Sequence, residues 1–501
     1  MEPLFRFCNT LPRITISVTL TSVALKEITR ALQQHPEVID ITFFNGSFMR
    51  LQKYGELATV EEFMEFFKDF HTHSVHRLEL HSPSNDFMEA LVRVQSTVHR
   101  ITTLRLWGPY TTRVSPLHSG IIPALIGSPS LVELYIYNID NQAGGSSYNE
   151  LGRLIASTPL QRLYVNDQAL NEEDVGGICA AIPRSQSFTE LELNSWQVSC
   201  TAETLSSLRG ATQLKTIQIT SSHVHRTEPL SLDSMVAFVN ILPTLTRIES
   251  IRLDNRKVDG LAAILLFTAI AYQCPHVVRV DLGDNEISND HLRVIIDLIP
   301  KCAHLEYLNL SVYWRDRDGD ADIKYRMDEP TMKRLVEVVI PSKLFRLDIS
   351  NRWIGDNLAS YVASLIRRAV HMRILNIEDQ THGLTPVSYS ILRDAIWATP
   401  KLSLAVAHVG MNNKLEDLVR YREETKRVDV LTALMSPKFV PRIGTQSKLP
   451  LLPREVLREV AYSTYGREDE GLREFVTMTQ DDIDEVDFDD AYDSRSDDED
   501  E

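Results

Sequence analysis

A Leu-x-Leu-type strand core recurs thirteen times along this chain, about every 29 residues, and no other feature constrains the fold as strongly. The second apolar positions of these cores are Ile41, Leu80, Leu106, Ile136, Val165, Leu193, Ile219, Leu253, Leu282, Leu310, Ile349, Ile377 and Val406. Most gaps between them run from 26 to 30 residues; one is 34 and two are 39, which reads as insertions. A fixed period in this range marks a solenoid, in which each unit buries its apolar face only by stacking on its neighbours. Stacking lets one core lengthen along a single axis, so 501 residues need not divide into several globular domains.

The clearest unit is 274–299. Val277, Val280 and Leu282 form its strand core, followed by Asn285 and Ile287. Ser288, Asn289 and Asp290 offer helix N-caps. Leu292, Ile295, Ile296 and Ile299 then fall at i, i+3, i+4 and i+7, the stripe of a helix packed on a core. The same stripe recurs at Val175/Ile178/Cys179/Ile182, Met235/Phe238/Val239/Leu242, Met332/Leu335/Val336/Val339 and Leu358/Tyr361/Val362/Leu365. A further apolar residue follows the strand core by five positions at Leu170, Val198, Val224, Val258, Ile287 and Ile354. Prolines 159, 183, 243, 300 and 400 are placed to close the helices.

The motif Val277-x-x-Val280-x-Leu282-x-x-Asn285-x-Ile287 resembles the leucine-rich repeat superfamily, specifically its long-repeat, ribonuclease-inhibitor-like class, over roughly residues 10–410. That resemblance implies an α/β horseshoe of about 13 repeats, with a parallel sheet on the concave face and helices on the convex face. The asparagine is missing from most repeats, which implies irregular turns.

The residues flanking each strand core face away from it, because strand side chains alternate. In repeats three to five these include Trp107, Tyr135, Tyr137, Tyr164 and Asn166, a cluster of the residue types that favour interfaces. Further along, Arg252, Asp254, Asp281, Asp348 and Glu378 make the same face charged, which reads first as a solvated stripe. The insertion after Leu310 carries Tyr313 and Trp314, then Asp316, Asp318, Asp320 and Asp322. Its aspartates fail as a calcium loop, because Gly319 is not at the sixth position and Met327 occupies the twelfth. The insertion therefore reads as an acidic loop on one rim, and with the aromatic cluster it is the candidate partner-binding surface.

No Walker loop, G-x-S-x-G or H-E-x-x-H occurs, so no enzyme is expected and no cofactor. Histidines 71, 73, 76 and 81 cluster near one strand without an accompanying thiol and read as turn residues rather than as a metal site. Histidines 223 and 225 read the same way. Five scattered cysteines (8, 179, 200, 274 and 302) form no C-x-x-C pair, which argues for reduced thiols in a cytoplasmic or nuclear protein. A net charge of −17 with no basic face argues against nucleic acid. No apolar run approaches membrane-spanning length. Residues 14–25 could pass for a signal segment, but Glu2 before it and Lys26-Glu27 after it favour a first strand and helix start.

The repeat is expected to fade after 410. Residues 411–466 read as a helical cap followed by a short helix. In that helix Leu452, Pro453, Val456, Leu457 and Val460 are similar to the opening of an F-box, and Leu-Pro-x-Leu-Pro is similar to part of a SOCS box. Residues 467–501 read as a disordered acidic tail. From Asp481 onward 13 of 21 residues are acidic against Arg495 alone, so this stretch carries −12 of the total. Basic proteins are the partners such a tail would steer, and Ser494 and Ser496, each with an acid three residues on, suit an acidophilic kinase. The leading expectation is a non-catalytic scaffold for a protein partner. The alternatives are a substrate receptor of a cullin-type ubiquitin ligase and, from a layout similar to the Ran GTPase-activating protein, a small-GTPase regulator.

Overall fold

The computed structural model describes residues 13–17, 22–34, 40–44, 58–69, 76–81, 85–94, 99–108, 120–137, 150–166, 170–195, 200–221, 229–312, 325–352, 354–377 and 386–399. Contacts divide the chain into two units, Met1–Glu416 and Asp417–Glu501. The second unit lies outside the described residues, as do Val406 and every residue singled out between 411 and 501.

Thirteen strands form one parallel sheet in strict chain order. The first eight have five residues each: β1 (Arg13–Ser17), β2 (Asp40–Phe44), β3 (Arg77–His81), β4 (Thr103–Trp107), β5 (Glu133–Tyr137), β6 (Arg162–Asn166), β7 (Glu190–Asn194) and β8 (Thr216–Thr220). The last five have three: β9 (Ser250–Arg252), β10 (Arg279–Asp281), β11 (Tyr307–Asn309), β12 (Arg346–Asp348) and β13 (Ile374–Asn376). Each of β1 to β12 is followed by a helix before the next strand, and the helix Pro386–Ala398 follows β13. This is the leucine-rich-repeat solenoid that the sequence period predicts. Among the described residues twelve of the thirteen expected cores are strands of the sheet, β1 with the helix Ser22–Gln34 behind it leads them as a further strand, and the core at Val406 lies outside the described residues.

Register sharpens the repeat. Leu78, Leu104, Leu134, Leu163, Leu191, Ile217, Ile251, Val280, Leu308, Leu347 and Leu375 stand opposite one another across successive strands. Ile41 pairs with Leu78, and Phe43 is the partner of Leu80. Ile41 is therefore the first apolar position of its strand rather than the second. In register the first long gap, Ile41 to Leu78, is 37 residues rather than 39; it and the 34- and 39-residue gaps further on skip no strand of the sheet, so they are insertions within repeats.

One carbonyl per repeat, from His76 to Phe345, accepts two consecutive backbone N–H groups from the repeat that follows. These bonds extend the ladder beyond the strands and satisfy backbone groups that burial would otherwise leave unpaired. The predicted helical stripes are buried at Leu292, Ile295, Ile296 and Ile299, at Val175, Ile178, Cys179 and Ile182, and at Met332, Leu335, Val336 and Val339. Two stripe positions differ. Val239 is only half-buried while Ile241 takes the core position, and Tyr361 sits at the margin, where its hydroxyl reaches Glu329 Oε1 on the neighbouring helix at 2.7 Å. Pro183, Pro243 and Pro300 each occupy the second position of a 3-10 turn that ends a helix, where a missing N–H costs little.

The turns after the strands carry the irregularity that the missing asparagines imply. Asn255, Asp284 and Asn351 occupy the left-handed region (φ 55°, 60° and 58°), which short polar side chains tolerate best. The next residue in each turn is Arg256, Asn285 or Arg352, so two arginines stand at the consensus asparagine position. Both arginines are fully buried. Asn285 donates from Nδ2 to the carbonyls of Leu253, Leu282 and Gly283, and its Oδ1 accepts from the N–H groups of Arg256 and Val258. It thereby ties one turn to the turn before it. The arginines reach further: Arg256 Nη1 donates to Ser195 O, and Arg352 donates from Nε to Leu310 O and from Nη1 to Ile287 O. Each arginine follows a lengthened repeat, the 34-residue one before Arg256 and the 39-residue one before Arg352. A longer side chain meets the longer span.

Candidate functional site

The sheet has one face against the helices and one open face. In β5, β6 and β7 the side chains alternate between half-exposed and buried, with the apolar cores turned to the helices. The open face therefore carries three residues from each five-residue strand. Glu79, Arg105, Tyr135 and Tyr164 make one row across β3 to β6, and His81, Trp107, Tyr137 and Asn166 make the next.

These rows bring together residues that lie about one repeat apart in sequence. Trp107 and Tyr137 stack with ring centroids 3.5 Å apart and planes within 1°. His81 stacks on the other face of Trp107 at 5.1 Å and 9°. Tyr164 tilts against Tyr137 at 4.8 Å and against Tyr135 at 6.1 Å. Glu79 Oε1 locks the near end, accepting from Trp107 Nε1 at 3.1 Å and standing 2.9 Å from His81 Nε2. Arg105 lies 4.7 Å from the centre of the Tyr135 ring, a cation–π contact. Asn166 Nδ2 donates to the Tyr164 hydroxyl at 3.3 Å. The five aromatic-cluster residues expected from the sequence thus form one patch. His81, at the same strand position as Trp107 and Tyr137, extends it and was readable by that position.

The charges around the patch are mutually satisfied. Arg162 donates to Glu190 Oε2 (2.6 Å) and to the Tyr135 hydroxyl (2.9 Å), and it stands 3.6 Å from Glu133. Its hydrogen bond to Glu190 first, opposed by burial, raises its pKa and keeps it cationic. Burial first, and next the neighbouring Tyr164, pushes the Tyr137 hydroxyl up to about 12, so it remains a neutral donor at physiological pH. The patch is aromatic, with arginines and carboxylates paired around it.

The charged half of the face is not the solvated stripe the sequence suggests. Asp281 and Asp348 are 2% and 6% exposed. Asp281 lies within 3.5 Å of both Arg252 and Arg279, and its Oδ2 accepts from the Tyr307 hydroxyl. Asp348 accepts from Ser350 N, Ser350 Oγ and Asn376 Nδ2. Burial was unreadable from composition because it depends on flanking strands. Asp254 and Asp284 sit beside this network, and burial first, then Asp281, pushes them up to about 7 and about 6. Between the ordinary 3.8 and those values the folded chain holds protons that an unfolded chain has lost. The cost of ionising these groups is therefore absent near pH 4 and grows as pH rises towards 8. Asp254→Asn is expected to raise the melting temperature at pH 8 and to change it little at pH 4. Equal shifts at both pH values, or a fall at pH 8, would contradict this account.

Among the described residues no group of three or more His, Cys, Asp or Glu could hold a metal ion. His76 and His81 are described, and His81 belongs to the stack; histidines 71, 73, 223 and 225 lie outside the described residues. Cys179, Cys200, Cys274 and Cys302 are free and buried. Burial raises each thiol's pKa, so none is poised as a nucleophile. No helix among the described residues is long and apolar enough to cross a membrane. Tyr313, Trp314 and Glu378 lie outside the described residues, as do Leu452, Pro453, Val456, Leu457, Val460, Ser494 and Ser496.

No family model matches the chain, and no curated protein is similar to it. Among solved structures, it is similar to the leucine-rich repeat-containing protein LegL7 from Legionella pneumophila, at 18% identity and a TM-score of 0.33. That match covers 57% of this chain and 89% of the other. It is also similar to TLR13 in its complex with ssRNA13, at 14% identity and a TM-score of 0.34, over 81% of this chain and 69% of the other. At these scores the fold rests on the chain's own strand ladder.

Proposed function

We propose that the chain is a non-catalytic scaffold that holds a protein partner on the open face of its sheet, centred on Trp107, Tyr135, Tyr137, Tyr164 and Asn166. The observation that carries this reading is the coplanar stack of Trp107 on Tyr137, backed by His81. Rings locked by their neighbours offer large contact area with little rotamer entropy left to lose on binding. Such residues supply a disproportionate share of interface energy. The neutralised charges around them remove the penalty of desolvating an unpaired ion when a partner covers the patch. A solenoid also presents this surface on a rigid frame, which limits the cost of ordering it.

The test is a pull-down from lysate with three versions of the protein: full length, full length carrying Trp107→Ala and Tyr137→Ala, and a version ending at Lys448. The double variant must first show an unchanged far-UV spectrum. The expected outcome is a partner held by the full-length and truncated chains and released by the double variant, with affinity reduced about 100-fold, the scale of two interface anchors. Retention of the partner by the double variant would remove the patch from the reading. Loss on truncation alone, with cullin-linked adaptors recovered only by the full-length chain, would move the ligase-receptor alternative ahead.

A further inference from the structure

A second aromatic position on the open face is built differently from the first. Tyr307 of β11 lies in register between Arg279 of β10 and Arg346 of β12. The Arg279 guanidinium carbon is 3.9 Å from the ring centre and that of Arg346 is 5.0 Å. Because β10 and β12 flank β11, the two guanidinium groups cover opposite faces of one ring. All three side chains are half-exposed.

The two cations are not equally committed. Arg279 stands 3.5 Å from Asp281, a carboxylate it shares with Arg252. Arg346 has no carboxylate within ion-pair distance among the described residues; the Nε atoms of both arginines are buried without a hydrogen-bond partner, so the outer nitrogens are the ones a partner would reach. The acids nearest along the strands are already engaged: Asp281 accepts from Gly283 N and the Tyr307 hydroxyl, and Asp348 from Ser350 and Asn376. A guanidinium stacked on a ring is held in one plane, with its N–H edge pre-oriented for a planar oxyanion. Elsewhere on the open face Arg105, Arg162 and Arg252 each have a carboxylate beside them.

We propose that Arg346 and Arg279, braced by Tyr307, form a docking subsite for the carboxylate side chains of an acidic protein segment. Its centre, Tyr307, lies five strands from Tyr164 on the same face, so one extended partner could engage both the aromatic patch and this subsite, but neither requires the other. Arg346, unpaired among the described residues, supplies the fork, and Arg279 adds a second positive edge across the ring. Tyr307 fixes both, while its hydroxyl keeps Asp281 turned inward.

The test is fluorescence anisotropy with full-length protein and fluorescein-labelled hexaglutamate at low salt, with labelled hexaglutamine as the uncharged probe. Wild-type protein is expected to bind hexaglutamate more tightly than hexaglutamine, and rising salt is expected to erase the difference. Arg346→Gln is expected to weaken hexaglutamate binding roughly tenfold, the scale of one charge-assisted contact, and Arg279→Gln less. Arg334→Gln removes the same charge from an exposed helix, where Asp297 and Glu337 already pair it, and is expected to leave binding unchanged. Melting curves matched to wild type confirm that each variant is folded. Equal binding by wild type and Arg346→Gln, or an equal loss in Arg334→Gln, would overturn the proposal. Loss of hexaglutamate binding alongside an intact lysate partner would leave the aromatic reading standing, and the reverse would leave this one.

Discussion

Arg352→Ala is expected to destabilise the solenoid by about 3–5 kcal/mol, through loss of a large buried side chain and exposure of two carbonyls to a space with no donor. Arg352 is fully buried among residues far away in sequence. It joins Leu310, 42 residues back, to Ile287, 65 residues back, and so ties its own turn to two earlier repeats. Burial lowers its pKa to about 10, which still leaves it charged at pH 7. Among the described residues its partners are neutral carbonyls, and a buried cation so held is costly, so the bonds it makes must be good for it to be tolerated. Arg352→Met refills the volume without the donors and is expected to recover about half of the loss. Because a solenoid couples mainly through nearest neighbours, the damage should be local. Hydrogen exchange is expected to show lost protection across β11 to β13 and retained protection across β4 to β7. Melting indistinguishable from wild type would mean that the repeats close without this side chain.

Asn285→Ala is expected to cost about 2–4 kcal/mol, since one side chain serves three carbonyls and two N–H groups, all buried. Removing it strands partners on two turns at once. Asn285→Asp separates this account from simple loss of volume. The carboxylate keeps the acceptor for Arg256 and Val258 but faces three carbonyl oxygens with no proton to give. It is therefore expected to be at least as damaging as alanine at pH 7 and to improve as pH falls and the acid protonates. Denaturant titration of the three proteins at pH 7 and pH 4.5 reads both effects. An aspartate variant close to wild type at pH 7 would show that the donated bonds contribute little.

The two variants also show how much a sequence reader could see. Asn285 stands in a complete Val-x-x-Val-x-Leu-x-x-Asn-x-Ile motif, and its burial follows from the motif. Arg352 and Arg256 occupy the same turn position but look, by residue type, like solvent-exposed charges, since arginine is almost never fully buried unless paired. Their partners lie in earlier repeats, beyond insertions whose lengths vary, so no local window contains the bond. The same limit governs the open face. Trp107, Tyr135, Tyr137 and Tyr164 were legible as outward residues because alternation is local. The stack itself, and the place of His81 in it, depends on which residue stands opposite which.

The sequence alone determined the solenoid, its α/β layering, the apolar columns and the helix stripes, because these arise from periods of 2 and about 3.6 residues within each repeat. It also placed the prolines at helix ends, because a missing N–H is a local property. Only the tertiary structure decided the register that moved Ile41 to the first column, the stacking of Trp107 on Tyr137, the burial of Asp281 and the bracing of Tyr307 between Arg279 and Arg346. Each of these is a relation between repeats. Neighbours across a parallel sheet are separated by a whole strand–helix unit, and the insertions make that separation uneven, so the pairings form only when the repeats stack.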